Sequence, residues 1–233
     1  MITISNLVKR FGEKVAVNID SYVVNAGEMI GLVGNNGAGK TTLFRMLLDL
    51  LKPDEGQVAL DGINPAEDET WKAWTGAYID EGFLIDFLTP EEYFAFLGKI
   101  TNMTQEQVDD RLKDFDRLAA GEIFGQKKLI RNLSAGNKQK VGIMSALFNK
   151  PQLVILDEPF NFLDPSSQNT LKHVLTRYQQ VTGATILISS HNLQHTVDIS
   201  TRIALLEKGR ILKDMPNQEG SARAELENYF ETE

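Results

Sequence analysis

The stretch MIGLVGNNGAGKTTLFRMLL, residues 29–48, decides the fold of this chain. Its first five residues are apolar enough for a buried strand, and its last residues repeat apolar side chains at helical spacing. Between them, residues 34–41 match the pattern G-x-x-x-x-G-K-[ST] in full. Glycines let such a loop curl until its N–H groups point at one anion, and the following helix adds its partial positive charge. The loop therefore predicts a nucleoside triphosphate site; the alternative, a glycine-rich turn that matches by chance, is disfavoured by the strand and helix in register.

The chemistry expected at this loop follows from its residue types. Lys40 would reach the β- and γ-phosphates, and the hydroxyl of Thr41 would ligate Mg²⁺. The nucleotide-binding residues that the motif predicts are Gly34, Asn35, Asn36, Gly37, Ala38, Gly39, Lys40, Thr41 and Thr42.

A second motif is LVILDE, residues 153–158, in which two carboxylates follow four apolar residues. Ligands of α/β sheets bind at the carboxyl ends of the strands, where these acids would emerge. We expect Asp157 to hold Mg²⁺, directly or through water, and Glu158 to polarise the attacking water. A strand that ends in two solvated acids is the alternative, and the pairing with the phosphate-binding loop favours catalysis.

The composition excludes several classes of protein. The 233 residues include no cysteine, which rules out disulfides and thiol chemistry, and a formal net charge of −8 disfavours a general nucleic-acid binder. No run approaches the roughly 18 apolar residues of a membrane span, and the N-terminus does not resemble a secretory signal. A soluble cytoplasmic protein is the expectation.

The order of elements predicts one domain of α/β class. Short β-runs fill the first sixty residues, and the last third alternates strand and helix, which is typical of a parallel sheet covered on both faces. Capped helices are expected from Thr89, from Thr104 to Asp116 and from Ser134 to Asn149. We interpret residues of about 83–150 as a helical subdomain packed on an α/β core of about 1–82 and 151–233.

Two further motifs complete a resemblance to a known family. Ser134 would cap a helix whose N-terminus is free of bulky side chains, a second anion-binding helix end. With LSAGN at 133–137 and NFLDP at 161–165, the sequence resembles the nucleotide-binding domain of ABC transporters over essentially its whole length. The first segment is similar to the family signature LSGGQ, and the second is similar to the D-loop.

The resemblance implies roles for five more residues. Ser134 and Gly136 of one chain would cover the γ-phosphate of ATP held by a second chain, and Asp164 would couple the two ATP sites. His191 is similar to the switch histidine that contacts the γ-phosphate, and Phe11 to the aromatic that stacks on adenine. Taken alone, Asp164 also fits a helix cap, a role compatible with the first. A lone histidine at a strand end such as His191 is more often structural, although order and spacing favour the switch, and Phe11 is equally plausible as a core residue.

Three positions depart from the family pattern. Glu81 stands where the Q-loop has glutamine, and its carboxylate could still ligate Mg²⁺ or position water. Ala135 replaces a glycine and adds a methyl group near the expected phosphate of a partner, whereas Asn137 keeps the amide of the usual glutamine on a shorter stem. Glu81 differs in charge from the usual glutamine, and the two signature changes would tune the rate of hydrolysis or the affinity for nucleotide.

The fold and function that the resemblance implies can be stated together. The fold would be a P-loop NTPase core with a mainly parallel sheet, an N-terminal antiparallel β subdomain and a helical insert. The chain would be the ATPase subunit of an ABC transporter, using ATP and Mg²⁺. It would pair head to tail with a second copy or a paralogous subunit, and it would drive a separate multispanning permease, with export preferred, from the inner face of the cell membrane. The alternative is a soluble ABC-type ATPase of an assembly or repair complex, and a binding module without turnover is disfavoured by Glu158.

Overall fold

A computed structural model describes residues 1–218 and 220–231. The strands of that part of the chain are β1 (Ile2–Phe11), β2 (Lys14–Val24), β3 (Met29–Val33), β4 (Glu55–Leu60), β5 (Thr75–Tyr78), β6 (Leu153–Leu156), β7 (Thr185–Ser190), β8 (Arg202–Glu207) and β9 (Arg210–Pro216). Its α-helices are α1 (Lys40–Leu47), α2 (Pro90–Ile100), α3 (Gln105–Lys113), α4 (Asp116–Ala119), α5 (Ala135–Phe148), α6 (Pro165–Thr182), α7 (Leu193–Val197) and α8 (Arg223–Glu231).

The strands form two sheets. An antiparallel sheet has the order β2-β1-β4, and a larger sheet has the order β5-β6-β7-β3-β8-β9, in which only β9 runs antiparallel to its neighbour among the described residues. All residues of β3 and β6 are buried, as expected for central parallel strands with both faces covered. The expected α/β fold, with a mainly parallel sheet and an N-terminal antiparallel sheet, is confirmed.

The parallel register brings the carboxyl ends of three strands to one edge. Val33 of β3 pairs with Ser190 of β7, and Leu156 of β6 pairs with Ile188 of β7. The chain segments that follow β3, β6 and β7 therefore leave the sheet side by side. This edge is where open α/β sheets bind their ligands.

The helices between β5 and β6 begin at the predicted caps. Thr89 and Thr104 each form a reciprocal capping box, with Glu92 and Gln107 respectively. Buried side chains of these helices share one apolar cluster with the sheet; Phe94, Phe148 and Val154 are members. The helices therefore pack directly on the sheet. The division into subdomains near residues 83 and 150 stays a prediction.

The expected helix from Thr104 to Asp116 is wrong at its end. Helix α3 stops at Lys113, and a turn leads into the separate helix α4. Arg111 explains the break, because its guanidinium bonds the backbone carbonyls of Phe148 and Leu147 at the end of α5 and lies 4.8 Å from the ring of Phe115. The turn thereby buries Phe115, which a continued helix would not anchor in the same way.

Two elements were not foreseen from the sequence. Strand β5 has only four residues, too few for a clear apolar alternation, and α8 follows the last predicted strand. Among the described residues, no helix is both long enough and apolar enough to cross a membrane.

Candidate functional site

The loop between β3 and α1 requires glycine at defined positions. Gly37 and Gly39 have φ values of +81° and +113°, a region that other residues adopt only with strain. A Cβ atom at Gly34 would overlap the carbonyl oxygen of Leu206, and one at Gly39 would overlap that of Ala16. The loop can therefore adopt this curled backbone only with glycine at these three positions.

Lys40 is the first residue of α1 and is almost fully buried, with 6% of its surface exposed. Its Nζ atom donates to the carbonyl oxygens of Gly34, at 2.7 Å, and Asn35, at 3.3 Å. The same Nζ lies 3.3 Å from Oε1 of Glu158. Gly39 at the N-cap provides no side-chain cap, so the first N–H groups of α1 face the loop with the positive end of the helix dipole. This end of α1 is suited to an anion.

Asp157 is held between two hydroxyl groups. Thr41 Oγ1 donates to its Oδ2 at 2.5 Å, and Ser189 donates to its Oδ1. Burial raises the pKa of the Asp157 carboxyl, and the hydrogen bonds from Ser189 and Thr41 oppose that shift. The side chain is therefore a desolvated carboxylate beside a hydroxyl oxygen.

The pair of Thr41 and Asp157 fits a magnesium ion. Mg²⁺ prefers oxygen ligands, and it usually takes one or two from the protein and the rest from phosphate and water. Among the described residues, no group of three or more His, Asp or Glu side chains could hold a metal alone. Thr41 and Asp157 would supply two of the oxygen ligands of a magnesium ion, with phosphate and water as the others.

Glu158 connects the lysine with the histidine. Its Oε2 lies 2.8 Å from Nδ1 of His191 and accepts from the backbone N–H of His191 at 3.2 Å, while Oε1 faces Lys40. The structure therefore brings together all three residues for which the sequence predicts a catalytic role. They surround the place where the phosphate loop opens to solvent.

The opening is a cleft of about 270 Å³. It is lined by Phe11, Lys14, Ala16, Asn36, Gly37, Ala38, Gly39, Lys40, Thr41, Thr42 and Glu158. Phe11 is 53% exposed, so the alternative that Phe11 is a core residue is wrong. The aromatic ring and the phosphate-binding loop face the same cleft.

Ser134, Gly136 and Asp164 form a separate group. Ser134 accepts from the N–H of Asn137 and caps α5, and Asp164 accepts from the first N–H groups of α6. A Cβ atom at Gly136 would stand 2.6 Å from the carbonyl oxygen of Phe162, two residues before Asp164. The described residues that line the cleft include none of these three.

Glu81 has a different partner from those predicted for it. It begins a 3₁₀ turn, and its Oε2 forms an ion pair with Lys138 of α5 at 3.1 Å. Within the described residues, neither Thr41 nor Asp157 contacts this carboxylate. Its role as a metal ligand stays a prediction.

Two residues of the site were not predicted from the sequence. Ser189 accepts from the N–H of Glu158 at 2.8 Å while it donates to Asp157, and Gln139 donates to the carbonyl oxygen of Glu158 at 3.1 Å. Ser189 had a signal, because it is the second-last residue of the buried strand β7, near the carboxylates. Gln139 had none, since nothing in the helical pattern of α5 indicates that a glutamine is buried.

Comparison with known proteins gives consistent matches. The family model described as ABC transporter matches residues 17–161. The chain is 33% identical over 217 residues to the bacitracin transport ATP-binding protein BcrA of Enterococcus faecalis, covering 92% of this chain and 69% of that protein. It is also 33% identical over 215 residues to the spermidine/putrescine import ATP-binding protein PotA of Chromobacterium violaceum, covering 91% of this chain and 58% of that protein.

Solved structures agree in fold. A structure described as the ATP-binding subunit of an ABC transporter has a TM-score of 0.83 and 26% identity, covering 97% of this chain and 93% of that one. The dimeric structure of MJ0796, described as a bacterial ABC transporter cassette, has a TM-score of 0.80 and 25% identity, covering 94% of this chain and 99% of the other.

Proposed function

The chain belongs to the ABC transporter family, whose ATP-binding cassettes are ATPases, and on that premise we propose that it hydrolyses ATP to drive a separate membrane permease. The observation that carries the proposal is the convergence of Lys40, Asp157, Glu158 and His191 on the open side of one phosphate-binding loop. A structural turn would need no such set of charged groups.

Binding of ATP begins at the curled loop. The N–H groups of the loop and of the first turn of α1 bind the phosphates, and Lys40 exchanges its contacts with Glu158 and backbone carbonyls for phosphate oxygens. Phe11, on the rim of the cleft, stacks on the adenine. Thr41 and Asp157 would hold Mg²⁺, which would supply positive charge to neutralise the phosphates.

Hydrolysis uses the carboxylate of Glu158, which is released when Lys40 moves to the phosphate oxygens. Glu158 orients the attacking water and accepts its proton, while His191 contacts the γ-phosphate and keeps the carboxylate in place through Nδ1. Most of the rate enhancement comes from positioning and charge stabilisation.

A second copy completes each site. Ser134 and Gly136 at the N-terminus of α5 cover the γ-phosphate bound by the partner, and Asp164 couples the two sites. The similarity to the dimeric cassette MJ0796 supports this arrangement, as does the position of the α5 end outside the chain's own cleft. A paralogous ATPase subunit could take the place of the second copy.

The partner in transport is a multispanning permease, with the cassette on the inner face of the membrane. The names of the relatives support transport, since BcrA is described by bacitracin transport and PotA by spermidine/putrescine import. We propose export, because the family's drug- and lipid-exporting branch often has small single-cassette subunits. Purification from detergent-solubilised membranes should recover a multispanning protein; a purely soluble complex would favour the alternative, an assembly or repair ATPase.

The substitution Glu158→Gln tests the hydrolytic role. We expect ATP turnover to fall by at least about a hundredfold, because the base is removed, while the Kd for ATP changes less than about threefold. Turnover and nucleotide titration are measured on the same preparation. The control is Glu106→Gln at an exposed position of α3, which should match the wild type. Undiminished turnover in Glu158→Gln would refute the role of Glu158.

Chelation tests the metal. With EDTA in excess we expect hydrolysis to stop, and added Mg²⁺ should restore it, because Thr41 and Asp157 supply only part of a coordination shell around the phosphates. Hydrolysis that continues in EDTA would contradict the magnesium assignment.

A further inference from the structure

Glu158 has a backbone conformation that needs support. Its φ is +47°, in the left-handed region that residues with a side chain rarely adopt. Such a conformation persists only where surrounding contacts hold it, and it sets the direction in which the side chain leaves the backbone. The contacts of its peptide groups therefore determine where the carboxylate points.

Both backbone groups of Glu158 are bonded. The N–H donates to Ser189 Oγ at 2.8 Å, and the carbonyl oxygen accepts from the N–H of Asn161 at 3.1 Å within the following turn. The same carbonyl accepts from Nε2 of Gln139, also at 3.1 Å. Among residues 1–218 and 220–231, only the bond from Gln139 reaches this carbonyl from another secondary-structure element.

Gln139 is placed to act on Glu158 without entering the cleft. Its side chain is buried, with 6% exposed, in the second turn of α5, and it does not line the cleft. A carbonyl oxygen only accepts hydrogen bonds, so the atom that faces it must be the amide nitrogen. A glutamate of the same shape would place an oxygen against an oxygen.

We propose that Gln139 is a positioning residue for hydrolysis: its amide holds the Glu158 carbonyl and thereby aims the carboxylate between Lys40 and His191. The proposal rests on the proposed function, because it assumes that Glu158 is the base. It also ties the base to α5, the helix whose N-terminus would cover the nucleotide of a partner. A shift of α5 would then move the carboxylate.

The test compares two variants of the full chain, Gln139→Met and Gln139→Glu. We expect Gln139→Met to lower kcat at least about fivefold while KM for ATP stays within about twofold, since one neutral hydrogen bond is lost and the phosphate contacts remain. Gln139→Glu should lower kcat further. A residue that acts only through packing would make the isosteric glutamate the milder change.

A matched control and a second background sharpen the test. Ser145→Ala removes a half-buried hydroxyl from the same helix, one that bonds the carbonyl of Gly142, and should leave kcat within about twofold. In a Glu158→Gln background, Gln139→Met should not lower the residual rate further, because the group that it positions is gone. Thermal unfolding of each variant checks that the fold is kept, and Gln139→Glu serves if Gln139→Met does not fold.

The outcomes separate this inference from the proposed function. If Glu158→Gln abolishes turnover but both Gln139 variants keep kcat, the inference alone is overturned. A rise in KM that accounts for the loss, or an equal loss in the Glu158→Gln background, would also overturn it. If Glu158→Gln itself keeps full turnover, the proposed function and this inference both fail.

Discussion

At the scale of single residues, the structure shows Lys40 bound to its own chain. Its ammonium group donates to the carbonyl oxygen of Gly34 and faces Glu158, so the buried charge is compensated within the chain. The lysine and the carboxylate are therefore partners in an ion pair.

The substitution Lys40→Met tests the contribution of this charge to binding. We expect the affinity for ATP to fall by about 2 kcal/mol, roughly thirtyfold, since hydrogen bonds to a charged group are lost. Titration with a fluorescent ATP analogue measures it. Lys14→Met is the control, because Lys14 lines the same cleft on its exposed side and should matter little. An unchanged Kd for Lys40→Met would contradict the assignment.

The residues of the site were predictable to different degrees. The loop of residues 34–41 carries its chemistry in the sequence, because glycine, lysine and threonine at fixed spacing have one common use. The contacts of Gln139 and Ser189 with Glu158 depend on the approach of α5 and β7 to one loop, and no local pattern encodes that approach. The pairing of Glu81 with Lys138 was missed for the same reason.

At the scale of elements, α5 lies unusually close to β5. A Cβ atom at Gly142 of α5 would overlap the ring of Tyr78 in β5, and one at Gly76 would overlap the backbone of α5 at Ala146. Two glycines thus set the distance between helix and strand. Because α5 also carries Gln139, this distance helps to set where the Gln139 amide meets the carbonyl oxygen of Glu158.

Gly142→Ala tests the close approach. In an open helix position, alanine would stabilise by up to about 1 kcal/mol, but here we expect a loss of about 1–3 kcal/mol from overpacking. Denaturant unfolding measures the free energy. In a Tyr78→Leu background the destabilisation caused by Gly142→Ala should be smaller, because the tyrosine ring that the added methyl group would overlap is absent. A stabilised Gly142→Ala would disprove the contact.

Helix α7, which follows β7, packs against the loop after Glu158. His195 of α7 stacks on Phe160 with ring centres 4.8 Å apart, and its Nδ1 is buried with no hydrogen-bond partner among the described residues. Burial and the nearby Lys172 lower the pKa of His195, whereas Asp198 opposes the shift. The charged imidazole is therefore disfavoured in the folded chain.

This environment predicts a pH dependence of stability. A folded-state pKa below the unfolded value of about 6.5 means that only the unfolded chain binds the proton just below that pH. We therefore expect the free energy of unfolding to rise with pH up to about 6.5, and His195→Phe to reduce the slope. Denaturant titrations between about pH 5 and 7 compare the two chains. His173→Phe, at an exposed position of α6, should keep the wild-type slope; an equal slope in His195→Phe would contradict the account.

Elements with a strong pattern were predicted well. The capped helices α2 and α5 and the apolar strands β3 and β6 appear where caps and runs place them. The break between α3 and α4 could not be foreseen, since it follows from the contact of Arg111 with the end of α5. Tertiary contacts override local helix propensity at such a point.

At the scale of the whole molecule, the order β5-β6-β7-β3-β8-β9 explains the site. Strands that are distant in sequence, β3, β6 and β7, become neighbours, and their following segments supply Lys40, Asp157, Glu158 and His191. Alternation of strands and helices predicted a parallel sheet but not this strand order. The strand order follows from the structure alone, because the pairing of strands that are distant in sequence leaves no local pattern.

Two groups of residues that are expected to bind nucleotide lie apart within one chain. The phosphate loop opens on one cleft, whereas Ser134 and Gly136 lie outside it, at the beginning of α5. If these residues bind phosphate, they bind that of another copy. Two chains would then hold two nucleotides between them.

The mass of the Glu158→Gln chain in solution with ATP and Mg²⁺ tests this claim most directly, because that chain would bind nucleotide without hydrolysing it. Light scattering should give the 26.0 kDa of one chain without nucleotide and twice that mass with it. Adding Ser134→Phe, which blocks the end of α5, should keep the chain monomeric while ATP still binds. A particle of 26.0 kDa that holds ATP at saturation in the Glu158→Gln chain would contradict the account.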